Sequence, residues 1–235
     1  MVADERSKEV KRLVLMALGV VLALVLASPL AIAQTEQDAP TSRASGELAA
    51  AWWQWALSKP VEDSPLLGGD PTYTEEQCNG EPVTDTQGNT WFLAGLAGTD
   101  PVERTCSMPA GSQLFFPVVN TAWVFTDPET DTDKQARESV QGFMRGLLSD
   151  PEFSMVVTVD GEEVHRIVRA KSHFFDVQLP ENNVFGEPAG TYRALADGFW
   201  VKLPPLSEGE HTIHWVMNAP NSDFSQDITY HLTVE

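Results

Sequence analysis

The chain has 235 residues, 34 of them acidic and 15 basic, for a net charge of −19. A field of that sign repels phosphate backbones and anionic lipid surfaces, which excludes nucleic acid as a partner. With 42% hydrophobic residues, seven Trp and eleven Phe, the chain is too apolar and too aromatic for the disordered class.

Residues 1–12 carry four basic and three acidic side chains, and Leu13 to Ala27 then carry no charge at all. Ser28-Pro29 breaks this run, and Ala31-Ile32-Ala33 offers the small-x-small pattern of a signal-peptidase site. Residues 1–33 therefore read as a signal peptide cut after Ala33, which sends the protein to the periplasm or the medium. The alternative is an uncleaved anchor, since Leu13 to Ala33 is uncharged throughout and long enough for a bilayer of about 30 Å. Cleavage removes the four basic and three acidic groups and takes the net charge from −19 to −20, so the acidity belongs to the folded part. Cys78 and Cys106 are the only cysteines, and in an exported chain an even count predicts a disulfide.

Residues 34–44 are polar and predict a flexible leader. A single domain is expected over 45–235, opening with Ser45 as the N-cap of a helix. Leu48, Ala51, Trp52 and Trp55 share one face of that helix, which predicts a helix packed by its indoles. Pro60 and Ser64-Pro65 end it. Leu66 to Val83, with Gly68-Gly69-Asp70-Pro71 and Cys78-Asn79-Gly80, reads as loop held by the disulfide.

From Thr90 the apolar period becomes two. Strands are predicted at 90–94, 103–107, 114–119, 122–125, 155–159, 164–168, 174–179, 191–196, 199–203, 211–217 and 228–234. Asp160-Gly161 and Asp197-Gly198 fit tight hairpin turns between them. Within Thr132 to Leu148 the residues Ala136, Val140, Phe143, Met144 and Leu147 form one apolar stripe, a second helix closed by Asp150-Pro151. Many short strands with two helices set aside predict a mainly β protein, an antiparallel two-sheet sandwich of jelly-roll or immunoglobulin-like type.

The segments AWWQWALSKP, the cysteine pair around WFLAG, CSMPAGSQLFFPVVN, AGTYRALADGFWVKLPPLSEGEHTIHW and YHLTV together resemble a group of exported bacterial proteins with no established activity. The resemblance implies export and a β-rich domain and carries over no catalytic residue.

The chain has no G-x-S-x-G elbow, H-E-x-x-H, Walker loop or G-x-G-x-x-G. Three constellations remain. Asp127, Glu129, Asp131 and Asp133 alternate in an acidic loop that suits Ca²⁺, although the EF-hand Gly and final Glu are missing; the alternative is a cap at Asp131 or Thr132 for the following helix. His214 and His231 are expected opposite each other on a terminal hairpin, about 5 Å apart at Cβ. That is half of a Zn²⁺ or Cu site, with Asp223, Asp227 or His173 as further ligands, against the alternative of two surface histidines. Trp200, beside Lys202, is expected to face outward with Tyr192 and Trp91 as companions, a platform on which sugar rings stack, against the alternative of core packing. The expected function is a non-catalytic, exported or surface-associated binding protein for glycan or a divalent cation. The alternatives are a secreted hydrolase acting on glycan through an acidic pair and self-association through an edge strand.

Overall fold

The structure, a computed structural model, describes residues 42–67, 83–85, 88–127 and 129–235. The expected signal segment, the expected leader up to residue 41, Cys78 and Pro128 lie outside them. No helix among the described residues is long and apolar enough to cross a membrane.

Helix α1 is Ser42–Leu57, so residues 42–44 are helical rather than leader. Ser45 is not a cap: it sits inside the first turns and is buried. The buried stripe is Leu48, Ala49, Trp52, Trp55 and Ala56, the spacing that puts apolar side chains on one face. Gly46 lies against the Lys171 carbonyl so closely that no Cβ fits, and this brings the helix onto the sheet.

The strands are β1 Val83–Asp85, β2 Gly88–Phe92, β3 Val102–Met108, β4 Gln113–Val124, β5 Ser154–Val159, β6 Glu162–Glu163, β7 Val168–Lys171, β8 Phe175–Leu179, β9 Gly190–Leu203, β10 Gly209–Ala219 and β11 Phe224–Val234. Helix α2, Asp133–Ser149, stands between β4 and β5. One sheet runs β1-β2-β4-β9-β7, with β8 also on β9; the other runs β3-β11-β10-β5-β6. Both sheets are mixed, not antiparallel as the sequence suggested. The chain leaves β2 for β3 in the other sheet before returning as β4, so β2 and β4 run parallel. The last strand, β11, lies parallel to the distant β3.

The inner faces of the two sheets share one apolar cluster, in which Phe116 stacks on Trp215 at 4.8 Å. The other face of the first sheet is covered by α1, where Trp200 stacks on Phe115 at 4.9 Å and meets Trp52 at 5.5 Å. Phe115 and Phe116 thus point to opposite faces and both are buried. That is why the run LFFPVV is continuously apolar instead of alternating. Burying each such side chain stabilises the fold by about 1.5–3 kcal/mol.

Three local expectations are corrected. Leu114 to Val119 and Ala122 to Phe125 are one strand, β4, with a bulge between Pro117 and Val119. Residues 164–167 are not strand: the two-residue β6, reached by the Asp160-Gly161 turn with φ of 53° and 83°, ends before them, and Val168 opens β7. Asp197-Gly198 is not a turn either: β9 runs straight through it. Asp197 is 1% exposed and receives a bidentate pair from Arg169, at 3.0 and 2.7 Å. Gly198 is required because a Cβ there would lie 2.6 Å from the Asn120 Cβ. Local turn chemistry lost to a cross-strand fit.

A cleft beside the open edge of β4

The site follows from how β2 ends. Pairing between β2 and β4 covers only Thr90 to Phe92 against Gln113 to Phe115, closed by the Leu93 N–H on the Phe115 carbonyl at 3.3 Å. The chain then turns away because other groups claim its backbone. The Trp52 indole donates to the Leu93 carbonyl at 2.8 Å. The Tyr230 hydroxyl accepts from the Ala94 N–H and donates to its carbonyl, and buried Arg104 donates to the same carbonyl and to Tyr230. Gln226, 6% exposed, accepts from the Leu96 N–H and donates to the carbonyls of Leu96 and Gly98. Beyond the Leu93 N–H, backbone groups of residues 93–96 and Gly98 are met by side chains, and the Ala97 N–H by the Leu66 carbonyl, rather than by a ladder.

Strand β4 continues to Val124, and past Phe115 no strand among the described residues pairs with the edge that β2 has left. A cleft of about 380 Å³ lies along this edge, within the range of small-ligand sites. Pro117, inside an otherwise apolar strand, suits an edge because it has no N–H to give to a ladder. On one side stand Trp53 and Leu57 of α1; on the other stand Phe143 of α2 and Phe224 of β11; Phe185, 46% exposed, stands at the mouth. Asn120 pairs across to Gly198, two residues from Trp200, and so lies on the α1 side of the sheet. No charged residue and no histidine lines the cleft among the described residues. Two donors there have no partner: the Asn120 side-chain amide nitrogen and the Trp53 indole nitrogen, both shielded from solvent. A buried donor left unpaired costs about 1–3 kcal/mol, which an acceptor on a ligand would offset.

None of the residues expected to form a site is in this cleft. Trp200 is 1% exposed and Trp91 is 5% exposed, on opposite faces of the first sheet, so neither faces solvent as a platform. Tyr192 is half-buried and its hydroxyl donates to the Pro188 carbonyl at 2.9 Å. Both faces of this sheet are covered, which a two-residue alternation cannot reveal. His214 and His231 are not opposite each other: His214 faces Thr229 and His231 faces Thr212. Each is held by its own carboxylate, His214 by Asp227 at 2.8 Å and His231 by Glu103 at 2.6 Å.

In the acidic loop, Asp127 accepts from the Thr130 hydroxyl and from the N–H groups of Glu129 and Thr130. The hydroxyl bond first, then the backbone bonds, hold its carboxyl below the ordinary value. Asp131 accepts from the Asp127 N–H, and Asp133 pairs with Arg193 at 2.5 and 3.1 Å. Thr132 caps α2 in a reciprocal box with Gln135. Among the described residues no group of three or more His, Cys, Asp or Glu side chains is placed to hold a metal ion. Cys106 is buried in β3, and its expected partner lies outside the described residues.

A contact chain that the sequence did not suggest joins Ser207, His211 and Asp160. The His211 Nδ1 lies 2.7 Å from Asp160, and its Nε2 lies 3.2 Å from the Ser207 hydroxyl and 2.9 Å from the Ser207 carbonyl. This is the contact order of a nucleophile, base and acid, but acceptors on both ring nitrogens favour its protonated form over the free base. Asp160 first, and the Ser207 carbonyl with it, raise the His211 pKa above 6.5 against partial burial. An acceptor faces each nitrogen, an arrangement that favours the protonated ring donating from both, and Nε2 is shared between the Ser207 hydroxyl and the Ser207 carbonyl. Burial pushes the Asp160 carboxyl up, yet hydrogen bonds from His211 and the Thr212 N–H hold it below 3.8. The pair ties the β5–β6 turn to β10. Its raised histidine contributes stability fully below pH 6.5, lost as pH rises through the folded value; its depressed carboxylate contributes above pH 3.8, lost as pH falls. His211→Gln is therefore expected to cost about 1 kcal/mol between those limits and less once pH has risen through the folded value, measured by urea unfolding across pH. An equal loss at pH 5 and pH 9 would refute the pairing.

No protein-family model matches the chain, and no curated protein matches it. Two solved structures show distant likeness. One, described as "Structure of PbICP-C in complex with falcipain-2", aligns at 9% identity over 62% of this chain and 98% of that one, with a TM-score of 0.25. The other, "Solution Structure of Amebosin", aligns at 15% identity over 58% and 100%, with a TM-score of 0.20. At those scores neither defines a shared fold with this chain.

Proposed function

We propose that this is an exported, non-catalytic binding protein, a decorated two-sheet sandwich whose site is the cleft beside β4 and whose ligand is uncharged and mostly apolar. The uncharged lining carries this reading. A glycosidase needs two facing carboxylates, and a polyhydroxylated sugar needs a dense set of polar partners; among the described residues the lining has neither. An apolar molecule with one carbonyl or similar acceptor matches the apolar walls and the two stranded donors of Asn120 and Trp53. Export and the Cys78–Cys106 disulfide belong to the same reading, and the acidity keeps such a protein soluble outside the cell. The test uses Nile red, a neutral environment-sensitive dye with a carbonyl acceptor. It is expected to bind the mature protein saturably, and Phe185→Asp, which places a charge at the mouth, is expected to weaken binding at least tenfold with the melting temperature unchanged. Equal binding by wild type and variant, or none by either, refutes the cleft as the site.

A further inference from the structure

The few positive charges of this chain are not spread evenly. Eleven basic residues follow Ala33 against 31 acidic ones, yet residues 164–175 hold three of the eleven and no acid. Strand β7 lies in that stretch and pairs with β9, against which α2 packs its Val140 beside Leu195. Arg137 and Gln141 of α2 thereby come to line one small pocket with Lys171 of β7. We propose that this pocket is a binding site for a carboxylate group, separate from the cleft and sharing none of its lining residues.

Four cations gather here, and two of them are already neutralised. Arg169 gives its fork to Asp197 at 3.0 and 2.7 Å, and Arg193 pairs with Asp133 at 2.5 and 3.1 Å. Glu138, next to Arg137 on α2, is taken by Lys134 at 3.4 Å. Among the described residues neither Arg137 nor Lys171 has a carboxylate partner. Two uncompensated cations on one pocket make a local positive potential in an otherwise acidic molecule, and such a potential draws in an anion.

The floor of the pocket is spent and its rim is not. The Ser172 hydroxyl accepts from the Ala196 N–H at 2.8 Å, and both oxygens of Asp197 are held by Arg169. The donors left over are the Arg137 guanidinium, the Gln141 amide and the Lys171 ammonium, none with a hydrogen-bond partner among the described residues. Arg137 is nevertheless restrained, because its guanidinium lies over the Phe174 ring at 4.6 Å, a ring that Arg193 also covers at 3.8 Å. A guanidinium held in place loses less freedom when a ligand arrives.

Size and charge select the ligand. The pocket offers about 30 Å³, room for about two waters at roughly 10–15 Å³ each, and so for the two oxygens of a carboxylate. A guanidinium fork takes two such oxygens side by side. Phosphate is bulkier, and as a dianion it is repelled more strongly by the acidic remainder of the chain. Both Arg137 and Lys171 are exposed, so solvent screens them and the expected affinity is in the millimolar range.

The test titrates sodium acetate into the mature ¹⁵N-labelled protein at constant ionic strength, balanced with sodium chloride, and follows the Gln141 side-chain amide and the Arg137 Nε–H by NMR. Both signals are expected to shift together and saturate in the millimolar range. Arg137→Gln and Lys171→Gln are each expected to raise the midpoint at least fivefold at an unchanged melting temperature and to leave Nile red binding in the cleft as it is. Arg145→Gln, which removes the same charge from α2 outside the pocket, is expected to leave the midpoint unchanged. N-acetyl-Ala-Ala presents the same group at a chain end: binding at least tenfold tighter than acetate supports the site and assigns it to a peptide C-terminus, and equal binding supports it as a site for a small acid. A shift that does not saturate overturns the proposal and leaves the cations as guards of the β7 edge. An equal response to chloride, tighter binding of inorganic phosphate, or variants that bind acetate like the wild type would also overturn it.

Discussion

Trp200→Ala is expected to destabilise the protein by about 3–5 kcal/mol and to lower the melting temperature by about 10 °C. The indole is 1% exposed, stacks on Phe115 at 4.9 Å and meets Trp52 edge-on at 5.5 Å, so truncation opens a cavity between α1 and the first sheet. Its N–H has no hydrogen-bond partner, and Trp200→Phe therefore loses area without losing a bond and is expected to cost less than half as much. Denaturant unfolding of the two variants measures both. A Trp200→Ala protein with unchanged stability but altered ligand binding would restore the exposed platform that the sequence suggested.

Gly198→Val is expected to cost about 3 kcal/mol, although Val is a better strand former than Gly. The added Cβ would lie 2.6 Å from the Asn120 Cβ and 2.8 Å from the Val119 carbonyl oxygen, and that carbonyl belongs to the bulged strand, which cannot retreat without leaving β9. Because Asn120 must shift, the variant is also expected to weaken Nile red in the cleft. Gly146→Ala in α2 is the control: nothing lies within 4 Å of its added methyl, and the change is expected to stabilise the helix by about 0.5–1 kcal/mol. Urea unfolding that found the two glycines alike would contradict the packing of β4 on β9.

How much of this was legible beforehand differs by element. Both helices were, because a 3.6-residue stripe such as Ala136, Val140, Met144 and Leu147 leaves no competing period. Most strand positions were legible from the two-residue period. Their pairing was not: parallel partners such as β3 and β11 depend on contacts 126 positions apart in sequence, Val102 with Ile228, and leave no local trace. The turn at Asp160-Gly161 and the straight strand at Asp197-Gly198 have the same local chemistry. Only the Arg169 pair and the Asn120 side chain, both supplied from elsewhere, separate them. Trp200 and Trp91 look like surface candidates when each strand is assigned one buried face, and become core once α1 covers the second.

The cleft was the least legible feature, since it arises where β2 stops short along β4. Its only sequence marks are Pro117 and Asn120 inside an apolar run, a proline suited to an edge and an amide with no obvious partner. Gln226 and Arg104, which hold β2 away, gave no signal because their targets are backbone carbonyls. Export, the disulfide and self-association rest on segments and partners beyond the described residues, and thiol titration of the denatured mature chain tests the disulfide directly, with two free thiols as the opposing result.

The measurement that bears most directly on the cleft is a Nile red titration of the mature, ¹⁵N-labelled protein followed by NMR. The Trp53 indole and the Asn120 side-chain amide are expected to shift together and saturate with the dye, while the indoles of Trp200 and Trp215 stay fixed. Saturable binding that moves neither Trp53 nor Asn120, or the absence of saturable binding, would contradict the cleft beside β4 as the site of this protein.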